Sequence, residues 1–227
     1  MLMSTPDNLQ SIVCNIIKEY LKKKPFFSIE DIVVFINNRV KTNPNLNKNS
    51  IELIIKNLIK RRILIPGTKL MKNNIIEHPI RNEIYNYIRN NPSNINEIMK
   101  AINIGSNQAL WHLSCLEKFR FTRSKKIENQ RIIFEYESNS DLDELYFYLK
   151  QDIVRDIVTL LKDENIPFKI TEIATNLKRN YNTVKKYLEI LKNLNLIIVE
   201  KDKKRNLFRL DLEKYEKIRK SINDGEI

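Results

Sequence analysis

The chain of 227 residues carries 42% hydrophobic and 30% charged side chains with only 3 glycines and 7 prolines. This excludes a collagen-like, Pro-rich or disordered protein and favours helices on short connections, with apolar content for two or three small cores. The formal net charge of +12 points to an anionic partner, either nucleic acid or an acidic membrane surface.

In residues 1–72 the apolar spacing predicts a helix over residues 9–21 that Pro25 breaks. Ser28, with Asp31 three residues on, has the form of a capping box opening a second helix. A third helix over residues 49–62 buries Ile51, Ile55 and Leu58. After it, residues 63–71 allow one strand, a turn at Pro66-Gly67 and a short return.

Residues 73–140 open with the stripe Ile80, Ile84, Tyr87 and Ile88, which ends at Asn90-Asn91-Pro92. Asn96 is expected to cap a short helix over residues 97–102, and Ser106 a third helix running to about residue 118. The third helix buries Ala109, His112, Leu113 and Leu116, with His112 a hydrogen-bonded core residue. The period then changes to two: residues 121–126, a turn at 127–130 and residues 132–136 form a hairpin.

In residues 141–227 an extra helix over residues 141–150 precedes a second copy of that plan. Thr171 is expected to cap residues 172–177, and Val184, Tyr187, Leu188 and Leu191 form the inner face of the next helix. Residues 196–201, a turn at 202–205 and residues 207–210 make the hairpin, and residues 212–222 a closing helix that suits a homodimer contact.

The two copies are visible as a repeat. Ile95-Asn96-Glu97-Ile98 recurs as Ile170-Thr171-Glu172-Ile173, 75 positions on, and residues 112–116 match 187–191 at that offset. Arg131 and Phe134 align with Arg205 and Phe208 at an offset of 74, which implies one deletion in a turn.

Three helices followed by a basic hairpin resemble the winged helix-turn-helix family, and Leu110-Trp111-His112-Leu113-Ser114-Cys115-Leu116-Glu117 resembles recognition helices of archaeal transcriptional regulators. The resemblance covers residues 78–212. It implies a mainly α fold with small β-hairpin wings in consecutive winged helix-turn-helix domains: a degenerate one over 1–72, one over 73–140, and one with flanking helices over 141–227.

In such a fold the third helix enters the major groove and the wing touches backbone or minor groove. The implied partner is double-stranded DNA and the implied role a transcriptional regulator. In the last domain the outward positions Asn182, Thr183, Lys185 and Lys186, with Arg179 before them and Lys203, Lys204 and Arg205 at the wing tip, offer groups for bases and phosphates. Residues 169–209 carry 11 basic against 4 acidic side chains. In the middle domain Ser106, Asn107 and Gln108 offer base contacts, and Arg123, Lys125, Lys126 and Arg131 backbone contacts. Leu110 and Trp111 there suit internal packing or a partner contact.

The first domain carries 13 basic against 5 acidic residues, but its outward Glu52 and Leu53 suit a phosphate-lined groove poorly. A protein partner through the first and middle domains is the alternative, as in the tandem winged helices of scaffold subunits resembling those of ESCRT-type complexes. Fold alone does not decide between these.

Other classes are disfavoured. The N-terminus lacks the basic start and apolar run of a secretory signal, and no apolar segment approaches the roughly 20 residues that span a bilayer, so a cytoplasmic protein without membrane insertion is expected. Cys14 and Cys115 lie apart in helical apolar patterns, and His78 and His112 fall in no metal-ligand spacing. With no Gly-flanked serine or phosphate loop either, no cofactor, metal or catalytic residue is implied.

Overall fold

The computed structural model describes residues 6–24, 28–41, 45–164, 166–202 and 205–223. The expected break at Pro25 and the wing-tip residues Lys203 and Lys204 lie outside the described residues. The contacts divide the chain into two compact units, one of Met1–Asn86 with Asn96–Arg123, the other of Tyr87–Ile95 with Ser124–Ile227.

The first unit begins with α1 (Pro6–Lys23), α2 (Ile29–Arg39) and α3 (Lys48–Lys60). Val13, Ile17, Tyr20 and Leu21 recur at helical spacing on α1 and meet Ile32, Val33 and Ile36 of α2 and Ile51, Ile55 and Leu58 of α3 in one buried cluster. The Ser28 side chain caps α2 by accepting the Asp31 N–H at 3.1 Å, as the sequence pattern predicts. Asn47 does the same for α3 by accepting the Ser50 N–H at 2.9 Å, so that helix starts at Lys48, one residue before the expected 49, and ends at Lys60, two before the expected 62. The expected strand and return shrink to a single antiparallel bridge between Leu64 and Met71, with Gly67 at φ 77° in the turn. A short α4 (Lys72–Ile76) follows, and α5 (Pro79–Asn90), α6 (Ile95–Ile102) and α7 (Ser106–Lys118) continue the chain.

In the second unit β1 (Ser93–Asn94), β2 (Thr122–Ile127) and β3 (Gln130–Glu135) form a sheet in the order β1-β3-β2. The two residues between β2 and β3 make a tight turn in which Glu128 takes φ 51°. A 3-10 turn (Ser140–Leu142) and α8 (Asp143–Leu149) follow, and the end of α8 is tied to the end of α5: the Tyr146 hydroxyl donates to the Asn90 carbonyl at 3.2 Å and Lys150 Nζ to that of Pro92 at 3.0 Å. Then come α9 (Asp152–Glu164), α10 (Ile170–Asn176), α11 (Tyr181–Asn193), the antiparallel pair β4 (Ile197–Asp202) and β5 (Arg205–Leu210), and α12 (Leu212–Asn223). Their core joins Val154, Ile157, Val158 and Leu161 of α9 to Val184, Leu188 and Leu191 of α11 and Phe208 and Leu210 of β5.

The backbone repeats more strictly than the side chains. Each of α3, α7 and α11 ends two residues before a left-handed residue: Arg62 (φ 56°), Arg120 (φ 56°) and Asn195 (φ 54°). In each, the next N–H reaches back to a carbonyl five residues earlier at 2.9 Å: Ile63 to Leu58, Phe121 to Leu116, Leu196 to Leu191. These are Schellman closures, which satisfy the carbonyls left over at a helix end and turn the chain sharply. Asn103 and Lys178, between the second and third helices, are a further left-handed pair 75 positions apart.

The strand register corrects the expected offset of 74. Ser93 pairs with Ile133, and Phe168 bridges to Phe208, so both partners are displaced by 75. Phe208 therefore answers to Ile133 rather than to Phe134, and no deletion is needed. Ile132, Ile133 and Phe134 are all buried, so apolar matching alone could not fix which was the counterpart.

Three expected caps are also corrected. Asn96 lies inside α6, and Gly105 rather than Ser106 occupies the N-cap of α7. On α10 the N-cap is Lys169, whose N–H donates to Glu172 Oε2 at 2.8 Å, so Thr171 lies within the first turn. That bond and the Lys169 ammonium hold the Glu172 carboxyl below its ordinary pKa.

Candidate nucleic-acid interface

The helix α11 is amphipathic in the sense the candidate site requires. Val184, Leu188 and Leu191 are buried, while Asn182, Thr183, Lys185 and Lys186 are exposed. Tyr187, expected inside, is half-buried, and the Lys186 ammonium lies 5.3 Å from its ring centroid. The Asn180 side chain caps the helix by accepting the Asn182 N–H at 2.8 Å, leaving the first turn facing outward. Arg179 is exposed and pairs with Asp156 of α9 at 3.3 Å.

Lys186 is less free than its place on the helix suggests. Its Nζ lies 3.2 Å from Glu128 Oε1, on the turn between β2 and β3, and the Tyr148 hydroxyl donates to that same oxygen at 3.4 Å. Ile127, beside Glu128, belongs to the same buried cluster as Val184 and Leu188. In this unit the tip of the β2–β3 hairpin is thus packed on α11. The other basic residues of that hairpin divide similarly: Lys125 pairs with Glu144 at 3.1 Å, Arg131 Nε donates to Ser124 Oγ at 3.0 Å, and Lys126 is exposed.

Reasoning from sequence overlooked a groove of about 490 Å³ beside α11, lined by Lys169, Ile170, Thr171, Tyr181, Arg205 and Asn206. It joins the first turns of α10 and α11 to the start of β5, so Arg205, an expected wing contact, shares it with two helix N-termini, which favour negative charge. Tyr181 is 45% exposed there. Tyr181 stands three and seven residues before Val184 and Leu188, the spacing of the buried stripe, so helical period alone would place it inside and left no signal of the groove.

In the first unit α7 buries Ala109, His112, Leu113 and Leu116, the expected face. Ser106, Asn107 and Gln108 are exposed, Arg123 is half-buried, and Leu110 and Trp111 are 48% and 55% exposed. Trp111 is therefore not absorbed into a core; it rests edge-on against His112 at 4.8 Å and beneath the Arg81 guanidinium at 5.6 Å. His112 is buried as expected, but its Nδ1 has no hydrogen-bond partner, which corrects the reading of a satisfied core histidine. Leu53 of α3 is 70% exposed.

Cys14 and Cys115 are free and half-buried, and among the described residues no group of His, Cys, Asp and Glu is placed to hold a metal ion. No helix among them is long and apolar enough to cross a membrane.

Helices α9, α10 and α11 closed by the β4–β5 hairpin, with a polar outer face on the third helix, are arranged as in a winged helix-turn-helix. Residues 147–202 match the family described as winged helix-turn-helix transcription repressor, HrcA DNA-binding. An uncharacterized HTH-type transcriptional regulator of Methanocaldococcus jannaschii is 30% identical over 201 residues, which cover 83% of this chain and 49% of that protein. The chain thus spans about half the length of the curated relative it matches.

Proposed function

We propose that the chain is a DNA-binding transcriptional regulator built from three consecutive winged helix-turn-helix domains, over residues 1–72, 73–140 and 141–227, with α11 as the principal reading helix. The observation that carries this is the outer face of α11: Asn182, Thr183 and Lys185 exposed together on a helix whose opposite face is locked into the core, inside the segment that matches a DNA-binding family. An amide at that position can pair with an adenine edge, and an ammonium with phosphate or guanine. Arg205 and Lys169 supply phosphate contacts beside it, and Lys203 and Lys204 are further candidates for phosphate contact on the strength of the sequence. Ser106, Asn107 and Gln108 of α7 assist. Protein contacts through Leu53, Leu110 and Trp111 are a second reading, supported by their exposure, and α12 remains a candidate for homodimer packing.

Selection of the purified chain against a randomised duplex pool tests the proposal. Enrichment of a defined motif, lost in Asn182→Ala/Lys185→Ala, is the expected result. Retention of DNA without enrichment, unchanged in the double variant, would overturn α11 as the reading helix.

A further inference from the structure

Against Trp111, the first unit gathers three basic side chains that reading DNA by α11 does not use. Arg81 of α5 is 4% exposed; its Nε donates to the Ile75 carbonyl at 2.8 Å and its Nη2 to that of Asn74 at 3.4 Å, while the buried Nη1 has no hydrogen-bond partner. His112 is 3% exposed and its ring centroid lies 4.9 Å from that of His78. The Nδ1 atoms of both histidines are buried without a partner. Among the described residues no carboxylate is paired with Arg81. Carbonyl oxygens satisfy two of its donors but do not neutralise its charge, and a buried guanidinium is costly until an anion offsets it.

His78 also stands in the wall of an open groove of about 750 Å³. Lys18, Lys22 and Lys69 line it with Glu77 as the opposing charge, and Leu21, Leu70 and Met71 give it an apolar wall. Basic groups converging beside apolar surface are the make-up of a site for a ligand with an anionic head and an apolar body.

We propose that the Arg81–His78–His112 cluster and the groove beside it form a binding site for a small organic oxyanion, a carboxylate or phosphate ester. The head accepts hydrogen bonds from the guanidinium and imidazoles, and the body lies along Leu21, Leu70 and Met71. The buried position of the unpartnered nitrogens selects a small molecule over a macromolecular surface, and Arg81 selects an anion over a metal cation. The site stands whether or not the chain binds DNA.

Trp111 is the sole tryptophan and touches His112 and Arg81, so its emission reports from the edge of this cluster. The full chain is titrated with benzoate and, separately, with inorganic phosphate, against sodium chloride at matched ionic strength. A saturable change in Trp111 emission is expected with at least one probe: benzoate alone assigns a carboxylate ligand, phosphate alone a phosphate ester, and both a general oxyanion site. Affinity should fall at least tenfold in Arg81→Lys, which keeps the charge but loses the fork, and at least threefold in Lys18→Ala/Lys22→Ala, which changes the groove and spares the buried cluster. A response that never saturates or that matches chloride overturns the proposal. So does a saturable response of equal affinity in the Lys18/Lys22 variant and, where it folds, in Arg81→Lys.

Discussion

Helices α7 and α11 occupy equivalent places in the repeat, each 13 residues long, each 75 positions from the other and each closed by the same left-handed turn. Their outer faces differ. Helix α11 shows amide, hydroxyl and ammonium groups, whereas α7 follows Asn107 and Gln108 with Leu110 and Trp111. Behind them, α11 places Tyr187 where α7 places His112 over His78 and Arg81. The difference teaches that cap, turn and buried stripe set a helix's position, while the three or four side chains left outside set what it can meet.

Breaking the shared part should cost most. Leu188→Ala empties a fully buried position and is expected to destabilise the second unit by about 2–5 kcal/mol, whereas Lys185→Ala on the same helix should stay within about 0.5 kcal/mol; denaturant midpoints of the two variants check this. Next comes the outer face. Asn182→Ala should weaken binding to a selected duplex by about 1–3 kcal/mol if the amide reads a base, measured by fluorescence anisotropy.

A smaller effect separates the helices by pH. Burial, with repulsion from His78 and Arg81, holds the His112 pKa below its ordinary 6.5. The unfolded chain therefore binds the proton first, so this contribution to stability is present above about pH 6.5 and declines as the pH falls through that value. His112→Tyr, which installs the α11 residue, should flatten the thermal stability of the first unit between about pH 7 and 5 relative to the parent. The smallest effect is on Lys186. Its ion pair with Glu128 is exposed and worth about 0.2–1 kcal/mol, so Glu128→Gln should raise DNA affinity by no more than about fivefold by freeing the ammonium.

Much of this frame was legible in the chain. The stripes Ala109–Leu116 and Val184–Leu191 follow from helical period, and the hairpins from the switch to period two. Caps were less legible, because Ser106 and Thr171 are good capping types that stand one or two residues inside helices whose true caps are Gly105 and Lys169. A backbone angle decides there, not residue type. The pairing of Lys186 with Glu128 joins residues 58 apart and leaves no local pattern, since it depends on tertiary packing. The buried Arg81 stands three and seven residues before Ile84 and Ile88, so its position follows the buried stripe while its charged side chain argues against burial.

The most direct test of α11 as the DNA-reading helix is the salt dependence of duplex binding by the parent chain, Lys185→Ala and Lys192→Ala, the last an exposed lysine in the final turn of the same helix. Reading through the first half of α11 predicts that Lys185→Ala lowers the slope of log K against log salt by about 1 while Lys192→Ala leaves it unchanged. Equal slopes in all three proteins, or a loss confined to Lys192→Ala, would contradict it.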